Sequence, residues 1–167
     1  MVIGWDSSPD LRHYCNAPAE QRILFAEDDS DLRNLIISAL HREGFHVLAA
    51  SSGRELLHIF SAAARAIVPL PRAVVMDIRM PGHSGIELLR ALRLAEWTMP
   101  VILMTGFGDD QTRKLVLEFG AFALLDKPVP ARKLIHVLRE AIAQDGKPAE
   151  PSPGAGEAVS SQAESKE

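Results

Sequence analysis

Five short apolar runs divide the middle of the chain and alternate with longer, more polar segments. Each run is five residues long and rich in aliphatic side chains, which is typical of strands buried on both faces. We predict a strand at each of them: RILFA (22–26), HVLAA (46–50), AVVMD (73–77), VILMT (101–105) and FALLD (122–126).

The segments between the runs carry apolar residues at helical spacing, and we predict a helix after each strand. In the first segment, Ser30 is the predicted N-cap and Gly44 the predicted stop. The residues that fall on one face of this helix are Leu32, Leu35, Ile36, Ala39 and Leu40.

Strands separated by helical crossovers form a parallel sheet with helices on both faces. The pattern therefore predicts an α/β fold of the doubly wound type. Sites in such open sheets lie at the carboxyl ends of the strands, where the strand order reverses. The residues that follow the strands are consequently the main candidates for function.

Charge and composition indicate where the folded part begins and ends. The formal net charge is −4, but residues 1–21 carry −2 and residues 145–167 carry −3, which leaves +1 for residues 22–144. The last segment has Val159 as its only aliphatic residue apart from alanines, so we expect a disordered, low-complexity tail. Residues 1–21 are expected to be a poorly ordered extension, or to dock through Trp5, Leu11 and Tyr14.

The same composition argues against several classes of protein. A nearly neutral folded part gives no reason to expect a nucleic-acid surface, which would show clustered Lys and Arg. Cys15 is the only cysteine, so no intrachain disulfide is possible, which fits a reducing compartment. The N-terminus lacks a signal-peptide pattern, and no apolar stretch has the length of a membrane span. We therefore expect a cytoplasmic protein.

Polar and charged residues follow four of the predicted strands. Glu27 and Asp28 come after the first, Asp77 ends the third, Thr105 ends the fourth, and Lys127 follows the fifth. Carboxylates at one sheet edge repel one another, and oxygen ligands of this kind suit Mg²⁺ together with a phosphate oxygen. An aspartate can be the nucleophile of phosphoryl transfer, while a lysine and a hydroxyl hold phosphoryl oxygens.

These residues resemble the receiver domain of two-component response regulators. The resemblance covers about residues 22–144, and it implies the flavodoxin-like (βα)5 receiver fold with strand order 2-1-3-4-5. Four motifs carry it in order: Glu27-Asp28, the D-x-x-M-P-G run from Asp77, Thr105-Gly106 and Lys127-Pro128.

The resemblance implies a role for each acidic residue. Asp77 would accept a phosphoryl group from a phosphohistidine of a sensor kinase or of a histidine phosphotransfer protein. Asp28 and Asp77 would bind Mg²⁺ directly, and Glu27 would bind it partly through water. The backbone carbonyl of Arg79 would complete the protein ligands.

Two further residues would act on the phosphoryl group itself. Thr105 would move toward it and Lys127 would pair with it, while Gly106 would leave the site open to the donor. The Lys127–Pro128 peptide bond is expected to be cis. Apart from its own Mg²⁺-dependent phosphorylation and dephosphorylation, such a domain is not an enzyme.

The chain departs from the family pattern near the site. Leu124 stands where relatives carry a Tyr or Phe that moves inward with the threonine, so we expect a weaker or different readout of phosphorylation. Arg79 and Phe107 lie two residues beyond Asp77 and Thr105. We expect their bulk to shield the acyl phosphate from water.

Three other functions are alternatives to that of a phosphorylated receiver. An aspartyl-phosphate phosphatase would carry a second aspartate where this chain has Arg79. A flavin mononucleotide binder would need a Ser/Thr/Gly-rich loop after the first strand, and here that loop is E-D-D-S-D. The third alternative is a degenerate receiver that serves as a constitutive docking module, although every residue needed for phosphorylation is present.

No helix-turn-helix pattern, ATPase motif or further core follows Gln144 in this sequence. We therefore expect a stand-alone receiver, or the receiver part of a longer protein, that is a monomer or weak homodimer and changes the binding of a downstream protein target. Direct DNA binding is not expected. The kinase is expected to dock near Arg33, Ile36, Ile37 and Pro128.

Overall fold

The computed structural model describes residues 9–144, and its centre is one five-stranded sheet. All neighbouring strands are parallel and lie in the order β2-β1-β3-β4-β5, which confirms the predicted fold class. The strands are β1 (Arg22–Ala26), β2 (His46–Ala50), β3 (Ala73–Asp77), β4 (Val101–Thr105) and β5 (Ala123–Asp126). The fifth strand is one residue shorter than predicted.

Helices cover both faces of the sheet. Residues of α2 and α6 pack with one face, and residues of α1, α3, α4 and α5 pack with the other. A short 3-10 turn, Ala19–Gln21, leads into β1. The helices are α1 (Pro9–Asn16), α2 (Ser30–Arg42), α3 (Gly53–Ala64), α4 (Gly85–Leu94), α5 (Asp110–Glu118) and α6 (Ala131–Ala143).

The sheet is buried on both faces, which explains the continuous apolar runs. Along β1, Leu24 and Ala26 belong to one core cluster, while Ile23 and Phe25 belong to the other. Every residue of β3 and β4 is buried. Because each buried aliphatic or aromatic side chain contributes about 1.5–3 kcal/mol, the two clusters hold the strand ends in fixed positions.

Helix α1 docks on the folded domain through Leu11 and Tyr14, both of which are buried in the core cluster that contains α3 and α4. The Tyr14 hydroxyl donates to the carbonyl of Pro69 at 3.3 Å. Arg22 donates to the carbonyl of Ala17 at 2.6 Å and so ties the incoming chain to the start of β1. Sequence periodicity did not predict this helix.

The start of α2 differs from the prediction. Asp29, not Ser30, is the N-cap, and its Oδ1 accepts the amide N–H groups of Asp31 and Leu32 at 2.9 Å each. An aspartate at this position satisfies two donors that the helix leaves unpaired and also interacts favourably with the helix dipole. Gly44 ends the helix as predicted, with φ +86° and its N–H donating to the carbonyl of His41.

Two expectations about the ends concern residues outside 9–144. The disordered tail was predicted for residues 145–167, and Trp5 lies in the first eight residues. Within the described part of the chain, no helix combines the length and the apolar character needed to cross a bilayer.

Candidate functional site

The acidic pair after β1 is held by backbone and arginine contacts. The Glu27 amide donates to the carbonyl of Ala50 at the end of β2, at 3.1 Å. The Arg33 guanidinium donates to the Glu27 carbonyl at 2.7 Å and to the Asp28 carbonyl at 3.2 Å. As a result the Glu27 residue is 1% exposed and faces the site, while Asp28 is exposed at its mouth.

Lys127 joins the two buried carboxylates of the site. Its Nζ donates to Oε2 of Glu27 at 2.7 Å and to Oδ2 of Asp77 at 2.6 Å. The cis peptide bond to Pro128, as predicted, follows this residue. Its own amide donates to the Thr105 carbonyl at 2.7 Å, so the ends of β4 and β5 are tied together beneath the ammonium.

The acidic cluster has the geometry and chemistry of a cation site. One carboxylate oxygen from each of Glu27, Asp28 and Asp77 lies within 4.8 Å of the others, and no further such group of His, Cys, Asp or Glu occurs among residues 9–144. These are the hard oxygen ligands that Mg²⁺ prefers. Asp29 takes no part because its carboxylate caps α2.

The electrostatics of the site are set by burial. Desolvation raises the pKa of Glu27 above its usual value, and the hydrogen bond from Lys127 opposes that shift only in part. Burial also disfavours the Lys127 ammonium, but its bonds to Asp77 and Glu27 outweigh this effect and raise the pKa of Lys127. The lysine is therefore charged at neutral pH and supplies part of the positive charge that the carboxylates need.

Thr105 lies buried at the end of β4, beside the acidic cluster. Its Oγ1 accepts the Phe107 amide at 3.1 Å, so the hydroxyl hydrogen is available to another acceptor. A Cβ added at Gly106 would meet nothing within 4 Å, which leaves this side of the site open. Leu124 is half-buried and packs against the core cluster.

Arg79 and Phe107 meet across the mouth of the site. The Arg79 guanidinium lies over the Phe107 ring, 5.2 Å from its centroid. The Arg79 amide donates to Oδ1 of Asp77 at 3.2 Å, so this pair is anchored directly beside the carboxylate. Sequence reasoning singled out both residues but had no signal for the contact between them.

One predicted surface residue is placed differently. Ile36 is buried in the core and cannot contact a docked kinase. Leu35, predicted on the buried face of α2, is 62% exposed. The buried residues of α2 are Ile36, Ala39 and Leu40, so its buried face is narrower than its apolar residues suggest.

Residues 23–139 match the family model described as the response regulator receiver domain. The chain belongs to this family. It is 35% identical over 124 residues to the regulatory protein AtoC of Escherichia coli K12, a match over 74% of this chain and 26% of AtoC. It is also 35% identical over 118 residues to the transcriptional regulatory protein CpxR of the same strain, over 71% of this chain and 47% of CpxR.

Solved structures of receivers show the same fold. The crystal structure of a response regulator receiver domain protein from Clostridium thermocellum superimposes with a TM-score of 0.67 at 35% identity. The match covers 74% of this chain and 94% of that one. The chain thus spans nearly all of a receiver structure, but about a quarter of AtoC and about half of CpxR. It is a signalling module of the phosphorelay type.

Proposed function

We propose that this receiver accepts a phosphoryl group on Asp77 from a phosphohistidine of a sensor kinase or phosphotransfer protein. The observation that carries the proposal is the position of the Lys127 Nζ between Asp77 and Glu27, with Asp28 completing a cluster of carboxylates within 4.8 Å. Glu27, Asp28 and Asp77 would hold Mg²⁺, and we assign the Arg79 carbonyl as a further ligand from the family resemblance.

The transfer step forms one bond and breaks one. A carboxylate oxygen of Asp77 attacks phosphorus, and the donor imidazole leaves with the electron pair of the phosphorus–nitrogen bond. Glu27, Asp28 and Asp77 would hold Mg²⁺, which would supply positive charge for the phosphoryl oxygens and for these crowded carboxylates. The Lys127 ammonium, which lies beside Asp77, would pair with the incoming phosphoryl group, and Thr105 would donate its hydroxyl hydrogen to a phosphoryl oxygen.

Incubation with acetyl phosphate tests this proposal. With Mg²⁺ the wild-type protein should gain one phosphoryl group by mass, and Asp77→Asn should gain none. The matched control is Asp31→Asn, an exposed aspartate in the first turn of α2, which should behave like wild type. A wild-type protein that gains no phosphoryl group would instead support a constitutive docking module.

The proposed partners are a phosphodonor that docks on the receiver and a downstream protein that responds to it. We propose that the phosphodonor docks beside the site, against Arg33, Leu35, Ile37 and Pro128. Leu35 takes the role predicted for Ile36 because Ile36 is buried and Leu35 is exposed. The output is a change in binding to a downstream protein. We propose that the receiver residues do not bind DNA directly. Stand-alone function stays a prediction.

The contact between Arg79 and Phe107 predicts a long-lived acyl phosphate. Phe107→Ala removes the ring under the Arg79 guanidinium and opens the mouth of the site to water, so the lifetime of the phosphorylated protein should shorten about two- to fivefold, as expected for loss of one exposed cation–π contact. The measurement is the decay of phosphorylated protein by mass after removal of donor. Leu94→Ala, a similarly exposed apolar residue on α4, is the control. An unchanged or longer lifetime in Phe107→Ala contradicts shielding.

A further inference from the structure

An ion pair joins α5 to the end of β5 beside the site. The Nη2 atom of Arg113 donates to Oδ2 of Asp126. Asp126 is the last residue of β5, lies opposite Thr105 in the sheet and directly precedes Lys127. The pair therefore borders the two residues that hold the phosphoryl group, without belonging to the acidic cluster.

The segment between β4 and α5 packs against this pair at Gly108. A Cβ added there would lie 2.5 Å from Oδ1 of Asp126, 3.1 Å from Cγ2 of Thr105 and 3.2 Å from Nη2 of Arg113. No other residue type fits without displacing one of these groups. The side of residue 108 on which a side chain would stand is thus already occupied by the threonine and by both charged groups.

We propose that the Arg113–Asp126 ion pair stabilises the unphosphorylated position of α5 and opens when Thr105 moves toward phosphorylated Asp77. The inference rests on the function proposed above. Moving Thr105 would empty part of the space that its methyl group fills beside Gly108, and the segment that follows Gly108 begins α5 at Asp110. Arg113 and Asp126 are positioning residues. Their ion pair would couple the movement of Thr105 to the position of α5 in a chain that has Leu124 in place of the usual aromatic side chain.

Thermodynamic linkage predicts the direction in which loss of the ion pair changes the rate of phosphorylation. A contact made only in the unphosphorylated conformation lowers the population of the conformation that accepts the phosphoryl group, so removing the contact must raise that population and with it the rate of phosphorylation. Arg113→Ala and Asp126→Asn should each raise the rate of phosphorylation by acetyl phosphate about two- to fivefold, which is the effect expected of a partly exposed ion pair. A loss of structure would lower that rate or leave it unchanged.

The two substitutions also distinguish loss of the ion pair from a general change in charge near the site. Arg113→Ala makes the site region more negative and Asp126→Asn makes it less negative, so an effect on the approach of the anionic donor would move the two rates in opposite directions. The double variant should be no faster than either single variant, because both remove the same contact. Lys114→Ala removes an exposed positive charge from the neighbouring position of α5 and should match wild type.

The expected result is a faster rate in both single variants, with Arg113→Lys close to wild type. Rates that are unchanged, lowered or shifted in opposite directions overturn the role of the pair while the proposed function stands. A wild-type protein that acquires no phosphoryl group overturns the proposed function instead. If Arg113→Ala fails to fold by circular dichroism, Asp126→Asn and Arg113→Lys decide the outcome.

Discussion

Lys127→Met is expected to bind Mg²⁺ more tightly than wild type and yet to be phosphorylated far more slowly. The Lys127 ammonium donates to both Glu27 and Asp77, so a cation must compete with it for these carboxylates. Its removal leaves three carboxylates close together without that neutralising charge, and the Mg²⁺ affinity should rise about tenfold. Titration calorimetry with Mg²⁺ measures this increase.

The rate changes in the opposite direction because the phosphoryl group loses its charged donor. Removing one such donor from a transferring group costs about 10²–10³ in rate. The assay is the initial rate of phosphorylation by acetyl phosphate at saturating Mg²⁺, so that the change in metal affinity does not contribute. Methionine preserves the length of the side chain, which limits changes in packing.

Lys133→Met is the matched control, since Lys133 is an exposed lysine of α6. It should leave both the affinity and the rate at their wild-type values. If Lys127→Met binds Mg²⁺ more weakly, the lysine does not compete with the cation. If its rate is normal at saturating Mg²⁺, the ammonium does not act on the phosphoryl group.

The residues of this site were predictable because each follows a buried apolar run. Strands buried on both faces give unbroken aliphatic sequence, so the first polar residue marks the strand end. The carboxyl ends of parallel strands share one edge of the sheet, which brings Asp77 and Lys127 together although they lie fifty positions apart. Periodicity and topology therefore predicted the doubly wound fold class and the strand-end acids, while the strand order and the choice of Glu27, Asp28 and Asp77 as metal ligands came from the family resemblance.

Contacts between side chains of different loops were not predictable in the same way. The position of the Arg79 guanidinium over Phe107 depends on rotamers and loop paths that leave no periodic signal. The choice of Asp29 over Ser30 as the cap of α2 depends on the backbone angle at a single residue, and both types are good caps. Leu35 has the right spacing for burial, but it is 62% exposed, and the buried face of α2 consists of Ile36, Ala39 and Leu40.

Helix α1 escaped prediction for another reason. Eight residues form too few turns for a periodic pattern, and Leu11 and Tyr14 are the residues from this helix in the core cluster, with Cys15 partly buried against it. Its stability must come from tertiary packing, because isolated helices of this length are marginal in water. This makes Tyr14 the residue on which the docking of the N-terminal helix depends most.

Tyr14→Ala is expected to lower the free energy of unfolding by about 3 kcal/mol, the range found when a buried aromatic side chain is truncated. Tyr14 is 1% exposed, so truncation leaves a cavity between α1 and the core cluster. Urea unfolding followed by circular dichroism measures the change. Arg12→Ala, an exposed position of the same helix, should stay within about 0.5 kcal/mol of wild type.

Tyr14→Phe separates the packing of the ring from the chemistry of its hydroxyl. At neutral pH it should cost about 1 kcal/mol or less, since it removes one hydrogen bond of 3.3 Å to Pro69.

Burial raises the pKa of Tyr14 above its usual value of 10.0, so the native state holds this proton more tightly than the unfolded chain. Unfolding free energy should therefore fall as pH rises above 10.0, and fall less steeply in Tyr14→Phe. Equal slopes for the two proteins, or a Tyr14→Ala variant as stable as wild type, would show that α1 is not part of the cooperative fold.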